Sequence, residues 1–338
     1  MKTTINIIIA STLLAVATSA TAKSWRINNN AATASNFNSI NAAMSSNEVT
    51  AGDTLYLDPG TTLSDQQTVT KQVTIVGPGY FRGNAPHRHA YFHNPVVINA
   101  ANVKLEGLVF DNNLNICAQQ VTVERCIFKV IKISNGNYAN AKYATIRQCY
   151  GQRVYGNGET SIESAFCKIE NCILINSYDP INGLYLPVIQ HNYLKCTSSG
   201  SGERVLSRLN GAKITDNIII NSSSSSLIYN NVNSSEDISH NIFSGDTNAS
   251  FPDNKYGYTE ADIFTLTGMN DQLYQLKEDS PAKGYATDGG DCGPYGGLTP
   301  YVPGGLPNGY PYYTKAIIPA KSKNGKVNVS LKIKMQNE

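Results

Sequence analysis

Three cations and one acid have the side-chain types that would let this chain act on a uronic acid: Lys132, Arg204 and Arg208, with Glu163. Removing the proton α to a carboxylate needs a base, and the charge that develops needs a metal or guanidinium nearby. In such chemistry the lysine and arginines fill those roles, and Glu163 partners them or holds calcium. The acids do not cluster as hard-cation sites require, so no cofactor is implied and calcium is only admitted. The plainer alternative is a set of solvated surface charges. A second set is His191, Asp216 and His240, spaced about one repeat apart; it suits a metal or a sugar, or is a row of polar turn residues. His87, His89 and His93 crowd one loop without the spacing of a metal site, and no metal is assigned. Tyr295, Tyr301 and the Tyr-rich stretch to Tyr313 could stack on sugar faces or simply cover the end of the fold. A hydrolase would need two carboxylates facing one cleft. Glu106, Glu124 and Glu170 interleave with Arg147 and read instead as a surface charge ladder, while Asp111 and Asp179 are not repeated in register.

The elements that must position these residues announce themselves by repetition. Seven segments align: Val103–Phe110, Val121–Phe128, Ala144–Gly151, Cys167–Leu174, Pro187–Leu194, Ala212–Ile219 and Asp237–Phe243. A central aliphatic, from Leu105 to Ile238, recurs every 18 to 25 residues. Alternating apolar positions mark strands with one buried face, and this advance is one circuit of three short strands. Three residues after each aliphatic come Leu108, Cys126, Cys149, Cys172, Asn192, Asn217 and Asn241. Stacked asparagines hydrogen-bond along the stacking axis, and the cysteines fill the same slot as small hydrophobes. The pattern predicts an all-β, single-stranded, right-handed parallel β-helix with variable loops. A short helix at Ile40–Met44 would cover its open first coil, whose strand edges otherwise template aggregation. The tail Lys326–Lys334 alternates strictly and reads as a final strand.

The N-terminus reads as a signal peptide over residues 1–22: Lys2, an apolar run too short to span a bilayer comfortably, then Ala20-Thr21-Ala22. A secreted, periplasmic or cell-surface protein follows, with the β-helix over 23–297 and a Tyr/Gly/Pro-rich segment with the last strand over 298–338. No other apolar run has membrane length, so no transmembrane segment is expected. Net charge is +2, which leaves no electrostatic footprint for nucleic acid. The seven cysteines meet an oxidising compartment. Cys126, Cys149 and Cys172 lie on consecutive coils, spaced too far apart for disulfides, and are expected reduced. Pairing of Cys117, Cys167, Cys196 and Cys292 stays open.

The helix, the Gly52-Asp53-Thr54-Leu55-Tyr56-Leu57-Asp58-Pro59-Gly60 coil, the aliphatic-plus-Asn ladder and the Ser280-Pro281-Ala282…Asp291-Cys292-Gly293 ending resemble secreted β-helix proteins of Bacteroidetes. These belong to the pectin-lyase-like superfamily. That resemblance implies a groove outside one strand face, where Asn99, Asn115, Cys117, Lys132, Glu163 and Arg208 fall outward, with Arg204 just before. Three functions are carried forward. One is an exported protein binding a polysaccharide or cell-surface glycan without catalysis. Another is a polysaccharide lyase, or glycoside hydrolase, of pectin-lyase-like type; enzyme status is open. The last is a structural or adhesive envelope protein docking a protein partner through its C-terminal tail. Lacking a carboxylate cluster or a concentrated basic groove, the sequence favours the first and third.

Overall fold

The computed structural model describes residues 22–30, 34–81, 89–134, 140–198, 204–222, 228–229, 238–245, 251, 253–307, 309, 311–317, 326 and 329–335. Residues 1–21 of the expected signal peptide and His87 lie outside these.

The chain is a parallel β-helix. A ten-stranded sheet stacks its strands in sequence order, from Ser24–Ile27 through Lys104–Glu106, Thr122–Glu124, Thr145–Arg147, Lys168–Glu170, Val188–Gln190 and Lys213–Thr215 to Ile238–Ser239. Each pair is parallel and in register, with Leu105, Val123, Ile146, Ile169, Ile189 and Ile214 stacked. A fourteen-stranded sheet supplies the other two walls. Its long strands Val109–Ile116 and Ile127–Ile133 bend through both, with an irregularity between Phe128 and Val130. Crossovers between parallel strands of one sheet are right-handed almost without exception.

The walls form because small alternating apolar side chains fill the interior at every coil. Leu105, Val123, Ile146, Ile169, Ile189 and Ile214 are all buried, as are Phe92, Phe110, Phe128, Leu174 and Leu194. Gly151 interrupts that last series because a Cβ there would lie 2.5 Å from the Phe128 ring.

The corner between the first wall and the second is made by one residue per coil in the left-handed region. Arg125, Gln148, Asn171, His191, Asp216 and His240 all have φ between 51° and 62°. Each non-glycine residue there costs about 1 kcal/mol. The next residue stabilises the corner from inside. Asn192 donates its amide to the carbonyls of Ile169 and Gln190, both at 2.8 Å, and accepts the Cys172 N–H. Asn217 and Asn241 repeat this, and Asn254 adds a rung beyond the repeats legible in the sequence. The cysteines are more than space-fillers. Cys172 Sγ donates to Glu170 and Ile146 carbonyls, and Cys149 Sγ to those of Arg147 and Val123, the same pair of acceptors the asparagines use. None of the seven cysteines forms a disulfide.

At the N-terminal end, helix Ile40–Ser45 is capped by the Ser39 side chain. Asn41 pairs with the backbone of the first coil, accepting from the Thr68 N–H and donating to the Gln66 carbonyl. The open strand edge is thereby closed, as the sequence leads one to expect.

Past the last coil, the chain turns back. Residues 285–307 run the length of the corner as a strap, from His240 to Gly107. A second apolar core, with Tyr80, Tyr193, Ile218, Phe264 and Tyr301 among its buried members, glues this region to the outside of the second wall. Beyond the strap, Pro311–Ile317 and Ser330–Met335 form an antiparallel pair. The charge ladder on the first wall is not the surface feature it seems in sequence. Glu124 and Glu170 are 3% and 6% exposed, because the strap runs beside them. Lys104 and Arg147 both reach Glu124, at 3.0 and 2.9 Å. Burial pushes the Glu124 carboxyl up, but these two cations outweigh it and hold it below the usual range.

Candidate functional site

The third wall carries an outward column of polar side chains. Strand alternation sends Leu114, Ile131 and Val154 inward and their neighbours outward, so Asn115, Lys132 and Tyr155 stack in register on successive coils. Asn182 and Ser207 continue the column. Lys132 Nζ lies 5.7 Å from the Tyr155 ring centroid, and the Arg153 guanidinium lies 5.0 Å from it. Both are within the range at which a cation is drawn to an aromatic face. Asp179 accepts from Asn182 Nδ2 at 2.9 Å and from Ser207 Oγ at 2.5 Å, which fixes that end of the column. Asn115 Oδ1 and Arg153 Nε are buried without a hydrogen-bond partner. A buried polar atom left unmatched costs about 1–3 kcal/mol, so this wall carries polar groups whose bonding is incomplete.

Of the four candidates for uronate chemistry, only Lys132 stands on this column. Arg208 follows Ser207 inside strand Leu206–Asn210 with a left-handed φ of 51°, is exposed, and pairs with Glu159 at 3.3 Å. Glu163 lies in the 3-10 turn Ile162–Ser164, where its own backbone N–H and the Ser161 hydroxyl hold its carboxyl below the usual range. Arg204 precedes strand Leu206–Asn210 by two residues. No strand register brings Glu163 beside Lys132.

His191, Asp216 and His240 sit under the strap, and Tyr295 and Tyr301 belong to it. Asp216 Oδ1 and Oδ2 take the Thr287 N–H at 2.7 Å and hydroxyl at 2.8 Å. The His191 ring lies against Gly296 and Gly297, where any Cβ would press on it. His240 accepts from Cys292 Sγ through its carbonyl, and its ring lies 5.4 Å from that of Tyr285. Tyr301 is 3% exposed; its hydroxyl bonds to Tyr80 at 2.7 Å and donates to Asp271 at 2.9 Å. Tyr295 donates to the Asp271 carbonyl. His191, Asp216 and His240 are thus a seat for the chain's own C-terminal segment. Arg125, Gln148 and Asn171 continue it, donating to carbonyls of Leu306, Pro300 and Gly296.

Tyr155, Arg153, Asn182 and Ser207 are the residues of this wall that sequence reasoning passes over. Stepping one coil along from Lys132 lands on Tyr155, so the repeat itself carries the signal. Among the described residues, no three His, Cys, Asp or Glu side chains group as metal ligands.

No known family model matches the chain, and no curated protein is significantly similar to it.

Proposed function

We propose that this is an exported glycan-binding protein that holds an acidic polysaccharide along the third wall. We assign it to the secreted, right-handed β-helix proteins of Bacteroidetes within the pectin-lyase-like superfamily on the sequence pattern alone. The observation that carries the functional reading is Tyr155 with Lys132 and Arg153 about its ring, in axial register with Asn115, Asn182 and Ser207. A ring offers a sugar an apolar face, and cations offer its carboxylates counter-charge. The coils advance about 4.8 Å, so such groups repeat along the axis as sugar units repeat along an extended chain.

Binding is favoured over catalysis because Asp179, the carboxylate that the column's side chains reach, is already held by Asn182 and Ser207. A lyase base would have to be Tyr155 or Lys132 itself. The test is affinity electrophoresis with polygalacturonate and a neutral glucan, run beside ultraviolet detection of the unsaturated elimination product. Retention by the acidic polymer alone, without product, supports the proposal. Product that disappears in Lys132→Ala would replace it with the lyase reading, and retention by neither polymer would overturn both. Docking of a protein partner is a second reading, favoured by the exposed Val329, Leu331, Ile333 and Met335 at the C-terminal strand.

A further inference from the structure

Most of the strap is bonded to the wall beneath it, but at one place it stands off. Between Thr287–Asp288 on one side and Gly297–Thr299 on the other, a cleft of about 320 Å³ opens over the first wall. Its volume falls at the lower end of small-ligand sites. The floor is polar and ordered. Glu170, Gln190 and Thr215 stand on successive coils in register. Glu170 is 6% exposed, gripped by Lys168 at 2.6 Å and by the Gln190 amide at 3.1 Å. These contacts leave its other oxygen available to accept. His191 lines the cleft, its side chain 9% exposed, with Nε2 3.6 Å from Asp216 Oδ2 and Nδ1 buried without a hydrogen-bond partner.

Two opposite charges lining this cleft are uncommitted. Among the described residues, Lys213 forms no ion pair and Asp288 accepts only from the Gly290 N–H. A fold that needed only to seal the strap would place apolar side chains here, as it does in the second core. Arg147 and Lys168 also line the cleft but are paired with Glu124 and Glu170, so Lys213 is the cation left to meet an anionic group. Fixed carboxylates beside a free ammonium suit a ligand that brings one carboxylate and several hydroxyl donors.

We propose that this cleft binds a single uronic acid or the end of a short acidic oligosaccharide. Its carboxylate meets Lys213, and its hydroxyls meet Glu170, Gln190, Thr215 and Asp288. The ligand class rests on the acidic-glycan reading above, but the site lies on a different wall from the Lys132–Tyr155 groove. No covalent step is involved; the cleft is a second, small-sugar site roofed by the chain's own C-terminal segment.

The experiment is calorimetric titration of the purified protein with galacturonate, glucose and glycine, followed by Lys213→Met, Thr215→Val and Lys132→Met. Lys213 is exposed on its strand, so its replacement leaves the fold intact. Expected is saturable binding of galacturonate over glucose and glycine, weakened roughly tenfold or more by Lys213→Met, the loss of one charge-assisted bond. Thr215→Val should weaken it less, and Lys132→Met should leave it unchanged while reducing retention by polygalacturonate. The proposal is overturned if galacturonate fails to saturate, if glucose or glycine binds as well, or if Lys213→Met has no effect. It is overturned too if Lys132→Met alone abolishes binding, which would place the sugar in the groove.

Discussion

Asn217 ties its own coil to the one before it. Its amide donates to Ile189 and Thr215 carbonyls at 2.9 and 2.8 Å, and its oxygen takes the Asn192 N–H at 2.9 Å. Alanine there would strand the buried Asn192 N–H and take one donor away from each of two buried carbonyls. Asn217→Ala should therefore destabilise the protein by roughly 3 kcal/mol, read as a shift in denaturant midpoint. The asparagine rungs from Asn192 to Asn241 were legible because they recur at the coil period. Asn254 was not, because it follows Asn241 by only 13 residues and stands outside any aligned repeat. The cysteine rungs were legible as positions but not as donors, since a thiol and a methyl occupy a sequence slot alike. Burial pushes the Cys126 and Cys149 thiols well up and Cys167 to about 12, which suppresses the reactive thiolate. Of the seven sulfurs only Cys117 is not fully buried. A thiol reagent should label one cysteine in the native protein and seven after unfolding. Native labelling of several would show that the interior is not packed as described.

The strap is the element that sequence reasoning could least anticipate. Its Gly-rich stretch has no period to reveal a partner, and its contacts join residues as far apart as Arg125 and Leu306. The left-handed corner residues looked like a binding stripe for the same reason: polar side chains at turns await a partner, and here the partner is the chain's own tail. Gly305 shows how close that approach is. Its φ is +58°, and a Cβ would lie 2.2 Å from Tyr80 Cε1 and 2.5 Å from the Arg125 carbonyl oxygen. Gly305→Ala should cost roughly 3 kcal/mol and expose residues 285–307 to limited proteolysis before the coils unfold. Asp271 pins the same region, accepting the Tyr301 hydroxyl and the Gly304 N–H. Burial pushes its carboxyl up, and those two donors only partly offset this. A carboxyl raised on folding favours the protonated native state. Its contribution is full below the unfolded value and is lost as pH rises through the folded one. Asp271→Asn keeps the acceptor and cannot ionise, so the melting temperature of the wild type should fall relative to the variant across that rise. Parallel melting curves at all pH values would remove Asp271 from the account.

Across the whole molecule, the repeat makes the architecture legible and leaves the choice of working face obscure, since every wall alternates in the same way. What separates the walls is their cover. The strap lies over the corner of the first and second, while the third keeps Lys132, Arg153 and Tyr155 partly exposed. With a net charge of only +2, the protein has no broad field to draw an anionic polymer, so any electrostatic attraction must be local. Two cations about one ring then make separable contributions. Added salt screens charges in contact with water and hardly touches the burial of a sugar face on an aromatic ring. Polygalacturonate affinity should thus fall with ionic strength in the wild type. Lys132→Ala with Arg153→Ala should flatten that dependence, and Tyr155→Ala should weaken binding by roughly threefold to tenfold while leaving the salt slope as it was. The opposite assignment, a slope that survives loss of both cations, would mean that the polymer lies on another face.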